Sequence, residues 1–177
     1  MKRRSVIILL LAVGLAGCQS VGLGRSQAQP PWTVCFSPRG GCTQLVVDTL
    51  AGAHSTVLVQ AYSFTSEPIA QALVEARGRG VDVAVILDKS QRAEDDARTR
   101  PLLDAGIPGR IDAAHAIAHN KVMVIDGETV ITGSFNFTKG AEERNAENLL
   151  VIRDEALATK YGANWHLHEA HSQPYVQ

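Results

Sequence analysis

His119 to Thr138 reads HNKVMVIDGETVITGSFNFT, and this stretch decides the fold. Val122, Met123, Val124 and Ile125 have the apolar, β-branched character of a strand, and Thr129 to Thr132 have that of a second. Asp126-Gly127 between them is a hairpin signal, because both residue types tolerate positive φ. Side chains alternate along a strand, so His119 and Lys121 share a face. A two-residue turn pairs residues whose numbers sum to 253, placing His119 opposite Ser134 and Lys121 opposite Thr132. A four-residue loop gives a sum of 255, with His119 opposite Asn136 and Lys121 opposite Ser134. Either register gathers His119, Lys121, Ser134 and Asn136 on one face. A three-residue loop would scatter them, because a slip of one residue flips every side chain.

That face carries an imidazole, an ammonium, a hydroxyl and a carboxamide. The last three donate hydrogen bonds to an anion. The imidazole acts as nucleophile or general acid near neutral pH. The set suits phosphoryl chemistry, with Lys121 and Asn136 neutralising oxyanions while His119 attacks or protonates. No aspartate-rich cage for Mg²⁺ and no paired Cys/His spacing for zinc stands alongside. The expectation is therefore a reaction without metal or cofactor.

His119-x-Lys121-x₄-Asp126, followed by Gly133-Ser134-x-Asn136-Phe137, resembles the HKD motif of the phospholipase D superfamily. The blocks Tyr62-Ser63-Phe64-Thr65 and SFNFTKGAEERNAEN, from Ser134 to Asn148, look most like its small bacterial endonucleases of the Nuc type, which carry one motif per chain. The similarity runs from about Val34 to Trp165. It implies a paired site in which one histidine attacks phosphorus and a second protonates the leaving alkoxide. One chain offers one such histidine, so a homodimer with a shared active site is expected. Lys121 and Asn136 of both copies would clamp the phosphate, with Ser134 supporting them. Glu147 matches the family acid that pairs with the motif histidine, and a carboxylate there would orient the ring. Asp126 faces away from His119 by strand alternation and reads as structural, fixing the turn.

The composition is that of one globular domain, with 45% hydrophobic and 20% charged residues. Aromatic residues make up 5%, which argues against a base-stacking platform for single strands. The formal net charge is −1, and without Lys2, Arg3 and Arg4 the 14 remaining basic residues face 18 acidic ones. A nucleic-acid binder usually carries a basic footprint. Here any positive groove must be local or assembled from two copies.

Residues 1–17 read as a signal peptide, with Lys2, Arg3 and Arg4 ahead of the short apolar run Val6 to Ala16. Leu15-Ala16-Gly17-Cys18 resembles a bacterial lipobox, which implies a lipidated Cys18 and a membrane anchor; cleavage after Ala28 is the rival. Either way the expectation is export, lipid-anchored in the periplasm with the outer membrane favoured, or secretion. Residues 18–31 read as a flexible tether and residues 32–177 as the catalytic domain. Cys35 and Cys42, close together in an exported chain, suggest a disulfide.

The element pattern predicts helices over Thr43–Ala51, Glu67–Gly78, Ala93–Ala105 and Glu155–His168. Strands are expected at Thr56–Ala61, Val81–Leu87, near Ile111, in the hairpin, and over Asn148–Ile152. This order indicates an α/β fold: a mixed, largely parallel sheet with helices on both faces, phospholipase D-like by resemblance. Tyr62 and Ser63 end a core strand, where sheets of this kind line ligand crevices, while Phe64 suits the core. Lys89, Arg92, Arg98, Arg100 and Arg110 could form a basic rim, although Glu94, Asp95 and Asp96 interrupt it and a solvated face is the simpler reading. His166, His168 and His171 invite a metal reading, outweighed by their place on what looks like a frayed helix end; His115 carries no signal.

Three functions fit. The first is a sequence-nonspecific endonuclease acting on DNA, and RNA as well, since phosphate contacts carry no base information. The second is a phospholipase D or cardiolipin-type hydrolase at the envelope. The third is a non-catalytic lipoprotein that binds polyanions.

Overall fold

The computed structural model describes residues 30–92 and 100–175. The signal peptide, Cys18, the tether as far as Gln29, and residues 93–99 with Glu94, Asp95, Asp96 and Arg98 lie outside the described residues. In chain order the elements are β1 (Trp32–Ser37), α1 (Cys42–Ala51), β2 (Thr56–Ala61), α2 (Glu67–Gly78), β3 (Asp82–Asp88), α3 (Arg100–Asp104), β4 (Gly109–Asp112), β5 (Lys121–Ile125), β6 (Thr129–Gly133), α4 (Lys139–Glu143), β7 (Glu147–Arg153), α5 (Glu155–His171) and β8 (Gln173–Pro174). The strands form one sheet in the order β1-β7-β6-β5-β2-β3-β4-β8.

The sheet is mixed, as expected, but it is not largely parallel. Only β2–β3 and β3–β4 pair in parallel; the other neighbours are antiparallel. A helix crossover returns the chain in the same direction, whereas a short hairpin must reverse it. The α2 crossover gives the first pattern, and the hairpin between β5 and β6 gives the second. Strand β1 adds a further antiparallel edge against β7.

Helices cover both faces. On one side α1 and α2 bury Val46, Leu50, Ile69 and Leu73 against Val57, Val59, Met123, Ile131 and Val151. On the other, Leu157, Ala158 and Tyr161 of α5 pack on Val122, Val124 and Val130. Trp165 of α5 is fully buried and its Nε1 donates to the Val59 carbonyl at 3.0 Å, which pins the helix across the middle of the sheet. The α5 side of β1 is left open, and Trp32, Val34 and Phe36 remain exposed there.

The Cys35–Cys42 disulfide is formed and joins β1 to the first residue of α1. Glu142 completes that corner. Its carboxylate accepts from the Gly41 N–H at 2.9 Å and the Thr43 N–H at 2.7 Å, so a residue a hundred positions away caps α1. A negative charge suits the positive end of a helix dipole. The sequence offers only the composition of a solvated glutamate at this position.

Asp126 has the structural role read from the sequence. Its carboxylate accepts from the backbone N–H groups of His54, Ser55 and Thr56 and from the Ser55 hydroxyl, at 2.8 to 3.0 Å for the closest atoms. It thereby ties the β5–β6 turn to the start of β2. Burial pushes this carboxyl up, but the hydrogen bonds from Thr56, Ser55 and His54 outweigh it and hold it below the usual range. A depressed carboxylate adds stability above its unfolded pKa of about 4, and that stability is lost as pH falls through the folded value. Asp126→Ala is therefore expected to cost about 2–3 kcal/mol at pH 7. In urea denaturation the gap from the parent should shrink as pH falls below about 4. A gap that stayed constant with pH would refute the carboxylate's role.

Candidate active site

Antiparallel pairing brings four segments to one end of the sheet. Ala61, at the C-terminal end of β2, is level with Lys121 at the N-terminal end of β5. Gly133, at the C-terminal end of β6, is level with Leu149 near the start of β7. His119, Tyr62, Ser134 and Glu147 all lie just beyond these pairs, at that same end.

The hairpin register differs from both expected ones. Val122 pairs with Thr132 and Ile125 with Thr129, so paired numbers sum to 254 and Asp126, Gly127 and Glu128 form a three-residue loop. Asp126 and Gly127 take positive φ of 55° and 69°, and the Glu128 N–H closes onto the Ile125 carbonyl at 3.0 Å. This register carries Lys121 level with Gly133, not with Thr132 or Ser134.

The alternation restarts after β6. Gly133 has φ 148°, and a Cβ there would run into the Asn148 carbonyl oxygen, so only glycine fits. The N–H groups of Ser134 and Phe135 then both donate to that same carbonyl, each at 3.1 Å. Two residues opposing one is a bulge, which bends a strand and re-aims its side chains. Phe135 and Phe137 enter the core, Ser134 stays exposed and Asn136 half-buried.

Lys121 is buried, with 7% of its surface exposed. Its Nζ donates to the His119 carbonyl at 2.9 Å and lies 4.9 Å from the centre of the Tyr62 ring. Burial pushes the Lys121 ammonium below its ordinary value, and the negative charge of Glu147 pushes it back up. The exposed His119 ring packs against Tyr62, with centroids 4.6 Å apart. The Tyr62 N–H donates to the Asn120 carbonyl at 2.8 Å, which locks the ring beside the motif.

Ser134 and Asn136 sit on the same end by backbone ties. The Ser134 hydroxyl accepts from the Asn148 backbone N–H at 3.1 Å and from its Nδ2 at 3.3 Å, fixing the residue next to Glu147. The Phe137 carbonyl accepts from the N–H groups of Thr65 and Ser66, at 2.9 and 3.0 Å, which docks the Asn136 segment on the Tyr62–Thr65 segment. The side-chain oxygen of Asn136 is buried with no hydrogen-bond partner. Gln60 Oε1 and Arg110 Nε are likewise buried without a partner; at the motif, the orphaned Asn136 oxygen leaves an acceptor that a further group could engage.

One expected contact is missing from the single chain. Glu147 accepts from Asn145 Nδ2 at 3.2 Å and acts electrostatically on Lys121, but it makes no hydrogen bond with His119. Alternation places Glu147 on the same side as Lys121 without bringing its carboxylate to the imidazole. Tyr62 takes the contact with His119 instead, and Asn148 is the organising residue that sequence reading overlooked.

Among the described residues the basic rim does not form as a free phosphate surface. Lys89 donates to the His115 carbonyl, Arg110 to the Ser172 carbonyl and Arg92 to Gln173, at 3.0, 3.0 and 3.1 Å, while Arg100 pairs with Asp104. A cavity of about 760 Å³ lies at the opposite, hairpin end of the sheet. Asp48, Asp126, Glu128, Asp154 and Glu155 line it, a charge that repels phosphate.

Comparison with known proteins matches most of the domain. A family model described as "Cardiolipin synthase, PLD-like domain" matches residues 46–166. A protein named phospholipase D from Rickettsia bellii is 43% identical over 133 residues, covering 75% of this chain and 66% of that relative, just under two thirds of its length. A mitochondrial cardiolipin hydrolase from Xenopus laevis is 35% identical over 112 residues, 63% of this chain and 53% of its own. The crystal structure of Nuc, a phospholipase D family member from Salmonella typhimurium, superimposes with a TM-score of 0.80 at 37% identity, over 84% of this chain and 100% of that one. NucT from Helicobacter pylori shares the fold, with a TM-score of 0.70 at 22% identity.

Proposed function

This chain belongs to the phospholipase D superfamily, and from that premise we propose that it is a phosphodiesterase, a sequence-nonspecific endonuclease working as a homodimer. The observation that carries the nuclease reading is the match to Nuc, which spans the whole of that chain. In this reading His119 of one copy attacks phosphorus and His119 of the other protonates the leaving oxygen. A covalent phosphohistidine then yields to water, dividing one displacement into two. Lys121 and Asn136 hold the non-bridging oxygens, Tyr62 positions the imidazole, and Ser134 fixes the start of β7. No metal takes part in these steps.

Three features support a second copy at the site. His119 is exposed, Asn136 keeps an unpartnered buried oxygen, and Ile117, two residues before His119, is 57% exposed. A two-fold axis through this end would bring the two motifs together. It would also cover Ile117. We place the protein in the cell envelope, anchored through Cys18 or released, on the strength of the N-terminal sequence alone.

A phospholipid substrate is the second reading, favoured by the names of the Rickettsia and Xenopus relatives and by the exposed Trp32, Val34 and Phe36 on β1. The test is to incubate the purified protein with plasmid DNA in excess EDTA, and in parallel with cardiolipin-containing vesicles. Nicked and linear plasmid with intact lipid is the expected result. Intact DNA with hydrolysed lipid would transfer the assignment to the phospholipase.

A further inference from the structure

Two pairs of residues that the active site does not use meet at the end of β4. Asp112 is the last residue of that strand, and His115 follows three residues on, in the turn after it. His168 and His171 are three apart in the last turn of α5, so they share a helix face. That turn is not frayed. The Ser172 N–H caps the His168 and Glu169 carbonyls, Arg110 holds the Ser172 carbonyl, and β8 pairs with β4.

The Asp112 side chain is fully buried, and three ring nitrogens converge on its Oδ2: His168 Nδ1 at 2.7 Å, His115 Nδ1 at 3.1 Å and His171 Nε2 at 3.3 Å. Asp112 Oδ1 accepts from the Ala114 N–H at 3.0 Å and lies 3.1 Å from His115 Nδ1, so His115 faces both carboxylate oxygens. Three imidazoles aimed at one buried carboxylate form a donor set for a cation, because each ring can offer a nitrogen lone pair and the carboxylate supplies the negative charge. The four candidate ligand atoms lie within 4.8 Å of one another. A tetrahedral ion bonded at about 2.0–2.1 Å needs ligand atoms about 3.3 Å apart, within the range these atoms already span.

We propose that Asp112, His115, His168 and His171 bind one divalent transition-metal ion of the zinc class, in a closed structural site that staples α5 to the end of β4. Three imidazoles and one carboxylate suit Zn²⁺ better than Mg²⁺ or Ca²⁺, which prefer oxygen ligands. All four positions come from protein, the mark of a structural site. The ion also bears on the active site by position. The segment from His115 runs directly into His119, the Lys89 ammonium holds the His115 carbonyl at 3.0 Å, and the Asp88 carboxylate holds the Ala118 N–H at 2.6 Å. The ion would fix one end of this segment without contacting substrate.

The test uses the full chain purified without a histidine tag, stripped with chelator and dialysed. Zn²⁺ is titrated by calorimetry and Co²⁺ by visible absorption. The expected result is one ion per chain, with the intense visible bands of a tetrahedral Co²⁺ centre. Thermal unfolding should rise by roughly 5–10 °C at free Zn²⁺ a hundred times Kd. His168→Ala with His171→Ala should abolish stoichiometric uptake, while His166→Ala, on the exposed side beside Glu169, should leave it unchanged. Failure of the parent chain to take up one ion would overturn the proposal, as would a Co²⁺ spectrum of octahedral type. Both readouts come from the unmutated protein, so a variant that does not fold costs nothing. Neither depends on which phosphodiester is the substrate.

Discussion

Replacing His119 with asparagine is expected to reduce phosphodiester cleavage by about 10⁴-fold or more while leaving DNA binding within a few-fold of the parent. Asparagine keeps a hydrogen-bonding side chain of similar reach but cannot form the covalent phosphoryl intermediate. Lys121 and Asn136, which hold the phosphate in this mechanism, remain. The ring packs against Tyr62 and is exposed, so its loss should hardly move the melting temperature. Mixing gives a sharper test of the shared site. If every active site needs His119 from both copies, an equal mixture of parent and variant, allowed to exchange, retains about one quarter of the activity of the same total protein, because about one quarter of random dimers are fully parental. A self-sufficient site would retain half. A quarter with unchanged stability supports the dimeric mechanism; a half removes it. Full activity in the variant alone would end the histidine mechanism altogether.

Most of the fold was legible because its elements are locally consistent. The α2 and β2 boundaries coincide with the apolar pattern, and Asp126-Gly127 takes the positive φ its residue types favour. What escaped was set by contacts between distant segments. Strand β1 is exposed along Trp32, Val34 and Phe36, so its sequence carries no strand-like burial pattern until β7 pairs with it. The hairpin register could not be read because Glu128 adds one residue to the loop, and the alternation is interrupted again five residues later at Gly133. Alternation assumes an unbroken strand, and the bulge onto the Asn148 carbonyl breaks it. His168 and His171 were visible as a helical pair, but Asp112 and His115 lie more than fifty residues away. The Ser172 cap, the Arg110 bond to its carbonyl and the pairing of β8 with β4 together show that the helix end is held in place.

The Lys121–Glu147 pair allows the second large effect to be stated with a sign. Lys121→Gln is expected to lower kcat by about 10²–10³-fold, the usual loss when a preorganised group that stabilises transition-state charge is removed. Substrate binding should weaken far less, since the developing charge, not the ground-state phosphate, is what the ammonium meets. Glu147→Gln tests a subtler dependence. Burial already pushes the Lys121 ammonium down, and the negative charge of Glu147 opposes this. Removing the carboxylate's charge disfavours the protonated lysine further. The alkaline limb of the rate–pH profile, where Lys121 loses its proton, should therefore move to lower pH, while activity at the acid side changes less. If Glu147 instead served only to orient His119, the variant would lose rate at every pH without displacing the alkaline limb. The two roles separate in one profile. The absence of a His119–Glu147 hydrogen bond in the single chain favours displacement, because through-space charge, unlike ring orientation, needs no contact.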